Sequence, residues 1–181
     1  MGGPKAFLEI NGQPILRYLL ERFEWPGSTM LVLAPGMDHP PGVEGFAQVL
    51  SDPVTGVGPL RGVLTALEWI VTEMVVVATV DMPGITREQL SWMAQQLFER
   101  PEAAGVMARH ANGQIEPFPS AYRTSARAII AEQLDQQRRS VHGLLQHTHF
   151  ASIQFPHDWP DETWVNLNTP QDLGAFTRKP A

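Results

Sequence analysis

The sequence predicts an α/β fold: a Rossmann-like three-layer α/β/α sandwich around a mostly parallel sheet. Three observations carry this. Met74-Val-Val-Val-Ala-Thr-Val80 is apolar on both alternating faces, as a strand covered by helices on both sides must be. The run Asp52-Pro-Val-Thr-Gly56-Val-Gly58-Pro-Leu60-Arg-Gly62 joins a strand-like stretch to a helix-like one through glycines. The patterns also alternate in order: helix, strand, strand, helix, strand, helix, then a hairpin-like excursion and a return.

Composition narrows the class. The 181 residues suit one domain over 1–181, and 43% hydrophobic residues allow a sizeable core. A formal net charge of -6 argues against a nucleic-acid-binding surface. It leaves room for a small polyanion, because a few cations and a metal can reverse the potential in one cleft. With no cysteine, disulfides, thiolate catalysis and Cys-ligated zinc are excluded. No signal peptide or membrane-spanning run is visible, so a cytoplasmic protein with no membrane partner is expected. Sixteen prolines and fifteen glycines imply many turns, but they gather into no linker tract or repeat.

Met1-Gly-Gly-Pro-Lys5 opens the chain. Its backbone N–H groups and one ammonium could meet a phosphate, although such a piece, read alone, is most simply disordered. Asn11-Gly12 is a turn. Pro14 fits the first turn of a helix that carries Ile15, Leu16, Leu19, Leu20 and Phe23 on one stripe. Thr29–Leu33 and Phe46–Leu50 read as strands. The loop between them holds His39, expected to be solvated.

Asp52 ends the second strand, and Leu60, Val63, Leu64, Leu67 and Ile70 mark the following helix. Glycines before a helix N-terminus permit close approach of an anion; a plain βα loop is the other reading. If the strands ending at Asp52 and Asp81 are neighbours, two carboxylates share one sheet edge.

Asp81 follows the Val-rich run directly. At the carboxyl end of a strand, an acid can hold a divalent metal together with phosphate and water; it can also be a turn residue or a cap. Thr86-Arg-Glu-Gln89 has capping-box spacing, so the next helix has its own cap and Asp81 lies five residues too early. That helix, Arg87 to Arg100, puts Leu90, Met93, Ala94, Leu97 and Phe98 toward the core. Ala103–Ala108, a turn at Asn112-Gly113 and Gln114–Tyr122 form a hairpin, with the prolines confining the return strand to an edge or to irregular pairing.

Ser125–Gln137 is a helix with Ala128, Ile129 and Leu134 inward. Arg138 and Arg139 suit its dipole, or an anion. Val141–Gln146 is a short helix. His142, His147 and His149 lack the i, i+4 spacing of a helical metal site, and surface positions are expected. Ser152–Phe155 is a strand. Thr169 as N-cap, Pro170 and Asp172 start the last helix. Asn166 and Asn168 alternate on a strand end and share a face, as ligand contacts or as turn residues.

Met-Gly-Gly-Pro-Lys5, Asp52, Gly58-Pro-Leu-Arg-Gly62, Val80-Asp81-Met-Pro83, Glu116-Pro117 and Asn166-Leu-Asn168-Thr-Pro170 stand in the order and spacing of one family. The chain resembles the MobA-like molybdenum cofactor guanylyltransferases over essentially its whole length. The resemblance implies a fold of the nucleotide-diphospho-sugar transferase type. It also implies Mg2+-dependent transfer of GMP from GTP to molybdopterin, with release of pyrophosphate.

By that resemblance Asp81 looks like the magnesium ligand and Lys5 like the lysine on the nucleotide phosphates. Asp52, Gly58, Pro59, Leu60 and Gly62 look like part of the nucleotide site, and Glu116, Pro117, Asn166 and Asn168 like acceptor-side or metal-side contacts. Two departures stand out. The family opens with a strand and a Leu-Ala-Gly-Gly-x-Ser-x-Arg loop ahead of the Met-Gly, so a start further upstream is expected, and a sheet lacking that strand would be poorly stable or held by a compensating homodimer. Glu116 stands where the family commonly has His. The alternatives are a cytidylyltransferase on a related phosphorylated acceptor, and a catalytically inactive binding protein.

Overall fold

The computed structural model describes residues 4–178; Met1, Gly2 and Gly3 of the opening motif lie outside them. A 3-10 turn at Lys5–Phe7 leads into an antiparallel hairpin, β1 (Glu9–Ile10) and β2 (Gln13–Pro14). Asn11 and Gly12 take φ of 52° and 79° at its tip, the left-handed pair that a two-residue hairpin loop requires and that Asn-Gly tolerates. In α1 (Ile15–Phe23), Ile15, Leu16 and Leu19 cluster with Ile10 and Leu167. Pro14 stands just before that helix with ψ 132°, because β2 pairs it with Glu9.

Next come β3 (Met30–Leu33), β4 (Gln48–Ser51), α2 (Pro59–Trp69), β5 (Met74–Val77) and α3 (Arg87–Phe98). The chain continues through β6 (Gly105–Arg109), β7 (Ile115–Arg123), α4 (Ala126–Asp135), β8 (Phe150–Gln154) and α5 (Pro170–Arg178). Among the described residues, β3 and β4 form a parallel pair, and the larger sheet has the order β5-β7-β6-β8. There β6 and β8 run parallel, and β7 is antiparallel to both its neighbours.

Strand alternation sorts the core. Val106, Ala108 and Ala121 face α3, clustering with its Met93 and Leu97. Met107 and Tyr122 face the other way, clustering with Leu60, Val63, Leu64 and Leu67 of α2 and Ala126 and Ile130 of α4. Helices thus flank the sheet on both faces, the expected three layers. The Thr86 capping box is present, with the Thr86 N–H donating to Gln89 Oε1 at 2.9 Å.

Four expectations change. β5 stops at Val77, and its four residues are half-buried rather than sealed, because among the described residues it pairs only with β7 and antiparallel to it. β7 lies inside the sheet, not at an edge. Its prolines fit because the register breaks: Met107 faces Ser120, the next residue Ala108 faces Glu116, and Pro117, Phe118 and Pro119 fall in the bulge, where no ladder N–H is needed.

Phe98 is 67% exposed. It lies about 100° round α3 from the buried Leu97. In α4 the buried stripe is Ala126, Ile130 and Gln133, with Ala128 exposed, one phase away from the apolar positions read off the sequence.

Candidate active site

Three segments remote in sequence meet at one ammonium. Lys5 Nζ donates to Asp81 Oδ2 at 2.7 Å and to Asn168 Oδ1 at 2.8 Å. The Lys5 and Asp81 side chains are 29% and 24% exposed, so the pair stands at the protein–water boundary, where a ligand can compete for it. Lys5 has three N–H donors, and among the described residues two are engaged. Asp81 Oδ1 has no partner among the described residues.

Local chemistry holds each member in place. Residues 79–85 form two successive turns, Met82 N–H to Thr79 O and Ile85 N–H to Met82 O, pinned by the buried Met82 and Ile85. Gly84 packs so tightly that a Cβ there would lie 1.9 Å from the Glu162 carbonyl oxygen. On that side the Leu167 N–H donates to the Asp81 carbonyl at 2.8 Å, and Leu167 is fully buried.

Asn168 is fixed from the next helix. Asp172 Oδ2 accepts from the backbone N–H of Thr169 at 2.7 Å and of Asn168 at 2.9 Å, while the Thr169 hydroxyl accepts from Asp172 N–H. This is the helix start expected from Thr169, Pro170 and Asp172. The Thr169 N–H first, then its hydroxyl, hold the Asp172 carboxyl below its ordinary range, with Asn168 N–H and the charge of Lys5 adding to them.

Asn166 and Asn168 do not lie on a strand. Residues 165–168 follow a 3-10 turn at Asp161–Trp164, and the Asn168 N–H bends back to the Asn166 carbonyl. Period-two alternation therefore does not apply, and only Asn168 joins the Lys5 cluster.

The Gly-rich turn delivers the N-terminus of α2. Gly56 has φ 70°, and Gly58, the residue before the helix, has φ 86° and ψ -177°, a region essentially restricted to glycine. Pro59 opens the helix, and Leu60 is fully buried beneath it. A Cβ on Gly56 or Gly58 would meet nothing within 4 Å, so this stretch of backbone is open to a ligand.

Asp52 looks inward instead, accepting from the Thr65 hydroxyl, which in turn accepts from Arg61 Nε at 3.1 Å. Gly62 lies beside it, and a Cβ there would sit in ordinary van der Waals contact, 3.8 Å from Asp52 Oδ2. Among the described residues β4 and β5 are not neighbours, so the condition for paired carboxylates at one edge is not met there. Glu116 lies in β7 and accepts from His110 Nε2 at 2.8 Å across the hairpin, and Pro117 sits in the bulge beside it.

Several partners were not legible beforehand. Thr65, Arg61 and His110 answer long-range geometry with no motif of their own. Arg139 donates to the Gly56 carbonyl at 3.0 Å and so ties the segment after α4 to the Gly-rich turn; the Arg-Arg pair itself was the only signal.

The residues suit one class of metal. The free oxygen of Asp81 and the amide oxygen of Asn168 are hard donors. Among the described residues, no group of three or more His, Cys, Asp or Glu could cage an ion. Such a pair could hold Mg2+, which takes one or two carboxylates and leaves its other positions to water and substrate phosphate.

Comparison with known proteins follows this geometry. The profile described as "MobA-like NTP transferase domain" matches residues 1–151. A probable molybdenum cofactor guanylyltransferase of Thermococcus kodakarensis is 27% identical over 180 residues, covering 97% of this chain and 87% of the relative. A crystal structure of molybdopterin-guanine dinucleotide biosynthesis protein A from Archaeoglobus fulgidus superposes with a TM-score of 0.79 at 23% identity, covering 97% of this chain and 90% of that one. A 2-C-methyl-D-erythritol 4-phosphate cytidylyltransferase from Thermus thermophilus has the same fold, with a TM-score of 0.68 at 20% identity, covering 97% and 93%.

Proposed function

Because this chain belongs to the family of MobA-like NTP transferase domains, and is therefore a nucleotidyltransferase, we propose that it transfers GMP from GTP to the terminal phosphate of molybdopterin. An acceptor phosphate oxygen attacks the α-phosphorus, the bond from that phosphorus to the bridging oxygen breaks, and pyrophosphate leaves. Such transfer needs positioning and charge neutralisation rather than a protein nucleophile, and no cysteine is present to serve as one.

The observation that carries the reading is the Lys5–Asp81–Asn168 cluster beyond the carboxyl end of β5. Asp81 would hold the metal through its free oxygen, with Asn168 beside it. The metal, when bound, neutralises the phosphates and the departing pyrophosphate. Lys5 aims its remaining N–H at an α-phosphate oxygen, and its bond to Asp81 keeps that ammonium in place before substrate arrives. The open backbone at Gly56–Gly58 and the N-terminus of α2 supply N–H groups and a positive dipole end for the phosphate chain. Leu60 braces that turn from the core side, and the exposed Pro59 fixes the backbone at the first position of α2. Asp52 acts at one remove, by fixing α2 through Thr65. Glu116, Pro117 and Asn166 belong on the acceptor side.

Calorimetric titration with GTP in Mg2+, with CTP and EDTA as controls, tests this. Metal-dependent binding that prefers GTP, together with pyrophosphate release on adding molybdopterin, is the expected result. Preference for CTP would make the protein a cytidylyltransferase. Binding without turnover would make it an inactive binding relative.

A further inference from the structure

The ammonium of Lys5 is held as a bound cation would be. Its Nζ lies 2.7 Å from Asp81 Oδ2 and 2.8 Å from Asn168 Oδ1. These are the two side chains that offer hard oxygen donors to a metal. One oxygen of each is taken by a positive charge that belongs to the chain itself.

The surroundings keep that charge in place. Lys5 opens the 3-10 turn Lys5–Phe7, and the next residue, Ala6, is buried, so the lysine stem starts from anchored backbone. Asp172 Oδ2 accepts from the backbone N–H groups of Asn168 and Thr169, which fixes the segment carrying the Asn168 amide. The Asp81 carbonyl accepts from Leu167 N–H. The charge of Lys5 also reaches Asp172, so a second carboxylate favours the ammonium where it stands.

A divalent cation cannot use Asn168 Oδ1 while the ammonium holds it. On the other Asp81 oxygen it would stand beside a like charge, and the two would repel. Mg2+ dehydrates reluctantly and demands near-ideal octahedral geometry, so two protein oxygens contested by an ammonium offer it little. A triphosphate changes this balance. Its charged oxygens accept from an ammonium more strongly than a neutral amide does, and the flexible four-carbon stem of Lys5 can follow them. The Asp81 and Asn168 oxygens are then released.

We propose that Lys5 is a resident cation that keeps divalent metal off Asp81 and Asn168 until a polyphosphate draws the ammonium away, so that the metal enters with the nucleotide and does not load the protein beforehand. This rests on the nucleotidyl-transfer reading above and adds an order of binding to it. If the ammonium holds the site about nine-tenths of the time, metal affinity falls about tenfold.

The test is titration of the full chain with Mn2+ in the absence of nucleotide, free Mn2+ being read from its electron paramagnetic resonance signal. Mn2+ suits the same oxygen donors as Mg2+. Lys5→Met removes the charge but keeps an unbranched stem, and it should bind Mn2+ at least about tenfold tighter than the wild type. Lys5→Arg keeps a cation and should bind as weakly as the wild type. Adding Asp81→Asn to Lys5→Met should remove the gain. Lys5 stands at the protein–water boundary, so none of its replacements empties a core position. Equal affinity of wild type and Lys5→Met, the same gain in Lys5→Arg, or a gain that survives Asp81→Asn overturns the proposal. GTP titration of the wild type keeps the two readings apart. Absence of GTP binding removes nucleotidyl transfer, whereas Mg2+-dependent GTP binding with no Mn2+ gain in Lys5→Met removes this inference alone.

Discussion

Replacing Gly84 by Ala puts a methyl group into backbone. The added Cβ would lie 1.9 Å from the Glu162 carbonyl oxygen, 2.6 Å from its carbon and 3.0 Å from Thr163 Cα. To bring the first contact out to even 3.0 Å, the two segments must part by about 1.1 Å. No side chain can rotate away to make that room, since every contact is with main chain. Overpacking of a core typically costs about 1–3 kcal/mol, and a clash between two backbones belongs at or above the upper end. For a chain of this length, about 3 kcal/mol lowers the melting temperature by roughly 6–12 °C. The shift is also transmitted to the site, because Asp81 lies three residues from Gly84 and Leu167 holds the Asp81 carbonyl from the Glu162 side. Circular-dichroism melting reads the stability, and GTP titration in Mg2+ reads the site. A variant melting within about 2 °C of the wild type, with unchanged GTP affinity, would show that the 79–85 turn and the 161–164 turn are not locked together as described.

Asp81→Asn retains the shape but removes the charge, and should lower turnover by roughly 10²–10³-fold, the usual loss on removing one electrostatic stabiliser, with the Mg2+ dependence of GTP binding weakened in the same titration. Gly58→Ala forces a side chain into φ 86°, ψ -177°; it should destabilise by about 1–3 kcal/mol and raise the KM for GTP more than it lowers kcat, as steady-state kinetics would reveal. Asp172 has a carboxyl pKa depressed in the folded state, so the stability it contributes is fully present above about pH 4 and is lost as pH falls through the lower folded value. Melting curves from pH 7 down to pH 2 should therefore show an acid-side loss that Asp172→Asn lacks, and parallel profiles for the two proteins would contradict the cap assignment.

What could be read before folding was local chemistry. Asn11-Gly12 made its turn because both positions need positive φ. Thr86 and Gln89 closed a capping box, and Thr169 with Asp172 opened α5, because those side chains reach only three residues along the chain. Asp81 could be placed beyond an apolar strand for the same reason. Where the signal was periodic but its phase was set elsewhere, the reading slipped: Phe98 turned outward, and α4 buried Ala126, Ile130 and Gln133 rather than its neighbouring apolar positions.

The sequence by itself determined the order of the main helices and strands, the helix starts at Thr86 and Thr169, and the kinds of residue available for phosphate and metal chemistry. These depend on contacts within one turn or on alternation along one strand. Only the tertiary structure decided that Lys5 meets Asp81 across 76 residues and Asn168 across 163, that Asp52 serves Thr65, and that β7 runs inside the sheet with its prolines in a bulge. It also decided that His110, a residue of a polar turn, stands against Glu116 and an aromatic wall. Such pairings depend on which backbones can approach one another, as Gly84 and Glu162 do, and that complementarity is a property of packed surfaces with no counterpart in the spacing of residues along the chain.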